Sequence, residues 1–275
     1  MKENTTEQEL IKQGFQKKDI DRLQRLRLMD DDFMSKCFED DIECTELVIN
    51  IILDRDDLRV ESVHTQHEIK NLQGRSVTLD IYAKDSAGKP YDIEIQRADR
   101  GAGAKRARYH SSVIDANSLN VRENYDILPE TYVIFITEND VMKKGLPIYH
   151  IDRVIRETGE YFGDESHIIY VNGKYQDNSP LGHLMKDFSC TDPSDMHYKQ
   201  LRERVQYFKG TKEGVTTMCK IFEDMQKEAA EKAAREATME MAKNLIGSHK
   251  LSFEEIAAYT HLTLEQVKEL AQNMN

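Results

Sequence analysis

The stretch "LDIYAKDSAGKPYDIEIQ", residues 79–96, decides how the rest of the chain is read. Two apolar-alternating segments flank a loop, "DSAGK", whose composition suits a five-residue hairpin turn. Side chains alternate across a strand, so Val77, Leu79 and Ile81 share one face while Thr78, Asp80 and Tyr82 share the other. In the second strand Ile93 and Ile95 point one way, and Asp92, Glu94 and Gln96 the other. With that loop Lys84 pairs with Pro90, and counting back sets Asp80 opposite Glu94. Directly opposed residues have Cβ atoms roughly 4.5–5.5 Å apart, and like charges at that spacing repel. Two explanations stay open. Either the acidic face is solvated, as one side of an antiparallel sheet often is, or the carboxylates share a divalent cation such as Mg²⁺, whose oxygen ligands sit at about 2.0–2.1 Å.

Upstream, residues 31–53 are helical in their C-terminal half, with Ile42, Ile49 and Leu53 on one face. Glu46 falls on that same apolar face. A carboxylate there calls for a partner, and a helix packed over the hairpin would deliver Glu46 to the same cation. Downstream, "RADRGAGAKRARYH" carries five cationic residues against the single acid Asp99, a local reversal in a chain of net charge −12. Lys105, Arg106, Arg108 and Tyr109 on a helix over 103–120 suit a nucleic-acid backbone, with charge for phosphates and a ring for sugar or base. Arg106, His110, Val113 and Asn117 share one face of that helix. A solvated helix face with a flexible glycine lead-in is the alternative.

The remaining pattern is α/β. Strands are expected near 58–70, 75–83 and 91–97, with a fully buried one at 131–137 ("TYVIFIT") and others in "YHIDRVIRE" and "SHIIYVNGKY". A short helix is expected within 17–29. From about 194 the chain turns helical. "DMQKEAAEKAAREATMEMAKN" has no glycine or proline, and two capping boxes, Ser252 with Glu255 and Thr263 with Gln266, open two closing helices. Three regions follow: a polar, partly helical lead (1–30), a core (31–192) and a helical C-terminal region (193–275).

The 275 residues, 39% of them hydrophobic, are enough for one sizeable core. The four cysteines show no metal-binding spacing, and the N-terminus lacks the apolar core of a signal peptide. The longest apolar runs are too short to span a bilayer. A cytoplasmic protein with no membrane partner is expected.

Acid at the end of one strand, a short turn, then E-x-Q in the next resembles the core motif of the PD-(D/E)XK nuclease superfamily. The order of acidic helix, strand pair, basic-aromatic helix and apolar strand, over roughly 30–140, most resembles the Rpn family of recombination-promoting nucleases and transposases. That resemblance implies a restriction-endonuclease-like fold, a mixed sheet flanked by helices, here with an α-helical C-terminal extension. It implies a Mg²⁺-dependent DNA endonuclease, with Mn²⁺ as a substitute, in which Asp80 and Glu94 are the principal metal ligands, joined by the Ile95 carbonyl. Glu46 would assist through the metal or a water, and Gln96 stands at the position usually held by lysine. Leu79 stands where the superfamily has proline, and uncharged Gln96 can orient a water but not act as a cation. Recombination or mobile-element biology is the implied setting. A nuclease effector in defence and a non-catalytic interaction protein remain the alternatives. The closing helix pair resembles a helix-turn-helix, yet Glu265 and Glu269 complement phosphate poorly, which favours packing or homo-oligomer formation.

Overall fold

The computed structural model describes residues 7–12, 14–71, 74–97 and 101–274. Asp99 and Arg100 of the basic stretch, and the first six residues of the N-terminal lead, lie outside them. The chain divides into two compact units, residues 1–215 and 216–275.

The first unit is built on a six-stranded mixed sheet with strand order β1-β2-β3-β4-β6-β5. Its strands are β1 (Val60–Ile69), β2 (Val77–Asp85), β3 (Pro90–Gln96), β4 (Thr131–Thr137), β5 (Ile148–Ile151) and β6 (Ser166–Asn172). β1–β2 and β2–β3 are antiparallel, β3–β4 and β4–β6 are parallel, and β5 closes the edge antiparallel to β6. The helices are α1 (Glu7–Lys12), α2 (Lys17–Gln24), α3 (Asp31–Phe38), α4 (Ile42–Ile52), α5 (Ala104–Ser118), α6 (Pro180–Ser189) and α7 (Lys199–Gly210). α5 is the crossover that parallel strands β3 and β4 require.

Two helix layers cover the sheet. On one side Ala107, Val113 and Ile114 of α5 join Val133, Phe135 and Tyr170 in a single buried cluster. Ile81 and Ile93 point the other way and are fully buried, on the side where α3 and α4 pack against β1 and β2. On that face Tyr91, Tyr132 and His167 stack across three neighbouring strands, with ring centroids 5.1 and 4.8 Å apart. His167 is held between Asp152 (2.6 Å) and Glu130 (3.1 Å).

The hairpin forms as the sequence predicts, with Lys84 paired to Pro90 and Ile81 to Ile93. Asp85 fixes the loop. Its Oδ1 accepts from the backbone N–H of Ala87 and Lys89, both at 2.9 Å, and its Oδ2 accepts from the Tyr91 hydroxyl. Gly88 takes the left-handed conformation (φ +78°) that the turn demands. Asp41 caps α4 through the Cys44 N–H. "YHIDRVIRE" differs from expectation. Only Ile148–Ile151 is strand, and the chain then leaves the sheet in a loop closed by the Val154–Tyr161 bridge. α6 and α7 were not expected as separate elements, although Leu184, Met185 and Phe188, and Leu201, Val205 and Phe208, stand at helical spacing and form their buried faces. α7 belongs to the first unit, so the division at 215 falls later than the junction expected at 193.

Lys209, in α7, is 2% exposed, and its ammonium donates to the backbone carbonyls of Gln24, Leu26 and Thr191. That one side chain ties the end of α2, the segment after α6 and α7 together. The second unit contains the rest of α8 (Lys212–Ser248), with α9 (Phe253–Thr260) and α10 (Leu264–Gln272). Both capping boxes form, and Ala242, Ile256 and Val267 are its buried centre. Among the described residues no helix is long and apolar enough to cross a membrane, and all four cysteines are free.

Replacing Lys209 with Met removes three hydrogen bonds made by a buried ammonium and leaves the carbonyls of Gln24, Leu26 and Thr191 without that donor. Denaturant unfolding is expected to show a loss of about 3 kcal/mol or more, and a Lys209→Met protein as stable as wild type would contradict that role.

Candidate metal and phosphodiester site

β3 pairs with β4 from Tyr91 to Gln96 but loses β2 partway. Its first half pairs with β2 as far as Ile81↔Ile93, whereas Glu94 and Gln96 pair only with β4. Past that point the hairpin opens into a fork, and Asp80 and Glu94 bridge it through their side chains. The Asp80 N–H donates to Glu94 Oε1 (3.1 Å), and the Ile95 N–H donates to Asp80 Oδ2 (2.9 Å). The two acids thus meet across the strands, each accepting from the other strand's backbone.

Glu94 and Asp92 are fully buried and Asp80 nearly so. α5 answers them with two side chains from one face, four residues apart. Arg106 donates from Nη2 to Glu94 Oε2 at 2.5 Å. Arg106 Nε also lies 3.3 Å from His110 Nε2, which must accept, so the imidazole carries its proton on Nδ1 and donates to Asp92 Oδ2 at 3.0 Å. Burial pushes the His110 pKa down, consistent with that neutral tautomer. Burial likewise raises all three acids. Asp80 is lifted to about 6; Glu94 is lifted further by the charges of Asp92 and Asp80, and Asp92 well above the usual range with Asp80 adding to the effect. Among the described residues Asp92 Oδ1 is buried and accepts no hydrogen bond.

These donors fit a hard divalent cation. Asp92, Glu94 and His110 each bring one potential ligand atom within 4.8 Å of one another. The protonated Nδ1 makes His110 a donor to Asp92 rather than a ligand. Carboxylate oxygens from Asp92 and Glu94, with Asp80 hydrogen-bonded at the same fork, are the donor chemistry Mg²⁺ or Mn²⁺ prefers. Ile95 reaches this point through its backbone N–H.

Glu46 is not among them. Its carboxylate accepts from the Val60 N–H (3.0 Å) and lies 3.4 Å from Arg59. Val60 pairs with Asp85, at the loop end of β2, five residues from Asp80 and so roughly 17 Å along the strand. The face of α4 that is buried is Cys44, Thr45, Val48, Ile49 and Ile52, with Ile42 exposed, so of the expected apolar face only Ile49 is fully buried. α4 also meets the sheet at the wrong end for Glu46 to join the acids. A different acid acts on them. Asp31, at the start of α3, accepts from Gln66 Nε2 (3.1 Å), and its negative charge adds to the upward shift of Asp80. The run "MDDDF" gave no periodic signal that would single it out. Asp92 and His110, by contrast, stood on the strand and helix faces the alternation defined.

Gln96 follows Glu94 on the same strand face, and Gly101 packs so closely against its amide that a Cβ there would collide with Oε1. Lys105, Arg106, Arg108 and Tyr109 line one cavity of about 690 Å³ with Arg75 and His110. The Tyr109 hydroxyl donates to the Arg75 carbonyl and accepts from Asn71. The cationic wall and the acids therefore adjoin, with Arg106 shared between them.

A mixed sheet with acids at a β2–β3 fork, and a basic helix crossing it, defines a nuclease-like α/β core. The chain belongs to the PD-(D/E)XK nuclease family transposases, whose pattern it matches over residues 39–178. No curated protein and no solved structure matches it.

Asp80 has a folded pKa near 6 against an ordinary 3.8. The folded protein therefore holds a proton that the unfolded chain has lost, and without metal its stability falls as pH rises from about 4 to about 6. In chelator at pH 7, Asp80→Asn is expected to raise the melting temperature on the order of 5 °C. Mg²⁺ is expected to raise that of wild type and leave Asp80→Asn unmoved. Equal responses of the two proteins in a thermal-shift titration would refute a shared cation site.

Proposed function

We propose that the chain is a Mg²⁺-dependent DNA endonuclease that hydrolyses phosphodiesters, with Mn²⁺ able to replace Mg²⁺. The single observation that supports this most is the convergence of Asp80, Asp92 and Glu94 at one buried fork, beside a cavity walled by arginine and lysine. Membership of a nuclease and transposase family points the same way. Asp80 and Glu94 are the proposed metal ligands, with the Ile95 carbonyl, and Asp92 supports them from the same face. A divalent ion held there would supply Lewis-acid activation of water and phosphate, and positive charge for the departing oxygen.

The chain's own residues supply the rest. Arg106 neutralises Glu94 in the absence of metal and is the side chain best placed to turn to a phosphate, where its planar fork binds two oxygens. Lys105 and Arg108, both exposed, hold the flanking backbone. Tyr109, fixed by Asn71 and the Arg75 carbonyl, braces the cavity wall and presents its ring. Gln96 orients the attacking water through its carboxamide but cannot take its proton. DNA recombination or mobile-element processing in the cytoplasm is the proposed setting, and the C-terminal helices are the proposed contact between copies of the chain.

The test is nicking of supercoiled plasmid by the full-length protein. Cleavage is expected with Mg²⁺ and not in chelator. Asp80→Asn and Glu94→Gln keep acceptors for the backbone N–H groups and are expected to fold, yet to lose about 10³-fold or more in rate. Wild-type nicking by either variant would overturn the assignment, and a wild-type protein inert with both Mg²⁺ and Mn²⁺ would favour a non-catalytic interaction role.

A further inference from the structure

Beside the fork, three rings of β1 and β2 stand in a column. His64 stacks on His67 with centroids 5.7 Å apart and planes inclined by 28°, and His67 stacks on Tyr82 at 4.9 Å and 10°. Residues three apart on a regular strand point to opposite faces. The intervening Gln66 has φ +51°, a left-handed conformation uncommon outside glycine, and this break in alternation lets His64 and His67 share one stack. Backbone strain of this kind persists where surrounding structure enforces it, and it concentrates at functional positions. Here the Gln66 amide is anchored to Asp31, the acid whose charge reaches Asp80.

The column walls a second cavity, of about 550 Å³, together with Lys70, Lys84 and, from α5, Ile114 and Asn117. Lys84 Nζ lies 5.9 Å from the centre of the Tyr82 ring. The α5 face that meets the acids through Arg106 and His110 reaches this cavity about two turns later through Asn117. Tyr82 pairs with Asp92 and is two residues from Asp80, so the column begins beside Asp92 and roughly 7 Å along the strand from Asp80. His64, its outer ring, is exposed.

Phosphates alone would need only the cations. A stack with an open end offers a π face, which a base can occupy only when it has left its own helix. We propose that His64, His67 and Tyr82 form a stacking platform for an unpaired nucleobase, so that the substrate is DNA with a single-stranded segment at the site of cleavage; this builds on the nuclease assignment made above. The base extends the column on the open side of His64, while Lys70 and Lys84 meet the adjoining phosphates.

The experiment is fluorescence anisotropy on the full chain in chelator, so that no cleavage intervenes. The probes are a 5′-labelled single-stranded oligodeoxynucleotide and the duplex of the same sequence. Single strand is expected to bind more tightly. His64→Ala is expected to weaken single-strand binding by roughly 5- to 100-fold and leave duplex binding unchanged, while His64→Phe retains single-strand affinity. Because His64 is exposed, the substitution does not threaten the fold, and circular dichroism checks that. Equal single-strand binding by wild type and His64→Ala, or a wild-type preference for duplex, overturns the platform. The two proposals fail separately. Loss of single-strand affinity in His64→Ala with no metal-dependent nicking by wild type sinks the nuclease and keeps the platform. Nicking with no effect of His64 does the reverse.

Discussion

β3 cannot pair with β2 and β4 along its whole length and still leave room for chemistry between them. The fork below Ile81↔Ile93 is the constraint from which the site follows. Parting two strands inside a buried layer strands backbone N–H groups, and an unpaired one there costs about as much as a lost hydrogen bond. Asp80 and Glu94 answer this by accepting from the opposite strand. The acids are therefore built into the sheet, and their positions are set by backbone hydrogen bonds rather than by flexible side-chain packing. That gives the rigidity a metal or catalytic site needs.

The electrostatics follow from the same placement. Burial is the main cause that raises the pKa of all three acids, with the charge of Asp80 adding to Asp92 and those of Asp92 and Asp80 adding to Glu94. α5 supplies a guanidinium and a neutral imidazole in response. Arg106 occupies the position of an internal counter-ion. In a chain of net charge −12, the approach of any polyanion depends on a local patch, and the cavity shared by Arg75, Lys105, Arg106 and Arg108 provides it. Positive and negative halves thus lie side by side, with the arginine common to both.

Much of this was legible beforehand, for identifiable reasons. Strand alternation and loop length fix a hairpin's register, so the pairing of Lys84 with Pro90, and the common face of Asp80, Asp92 and Glu94, could be counted out. Capping boxes are local, and both were found. Helical periodicity is a weaker guide: the face counted from Ile42 is turned away from the one α4 buries, and spacing does not say where along the sheet a helix lands. Glu46 therefore looked like a ligand, although it fastens the start of β1. Asp31 escaped notice because its approach depends on α3 crossing the sheet near Gln66, a tertiary fact with no trace in spacing. The ring column was hidden by Gln66 itself, since alternation assigns His64 and His67 to opposite faces and only the left-handed residue between them brings them together.

The short connection tied down by Asp85 lies at the end of the hairpin remote from the acids, yet it governs them. A single residue inserted there would slip one strand against the other by one step, and a one-step slip turns every side chain through to the opposite surface. Asp92 and Glu94 would then be driven into the apolar layer beneath, and Ile93 would be turned out towards Arg106. The loop's length is thus as much a part of the machinery as the groups it never touches, and natural variants should change its letters far more freely than their number.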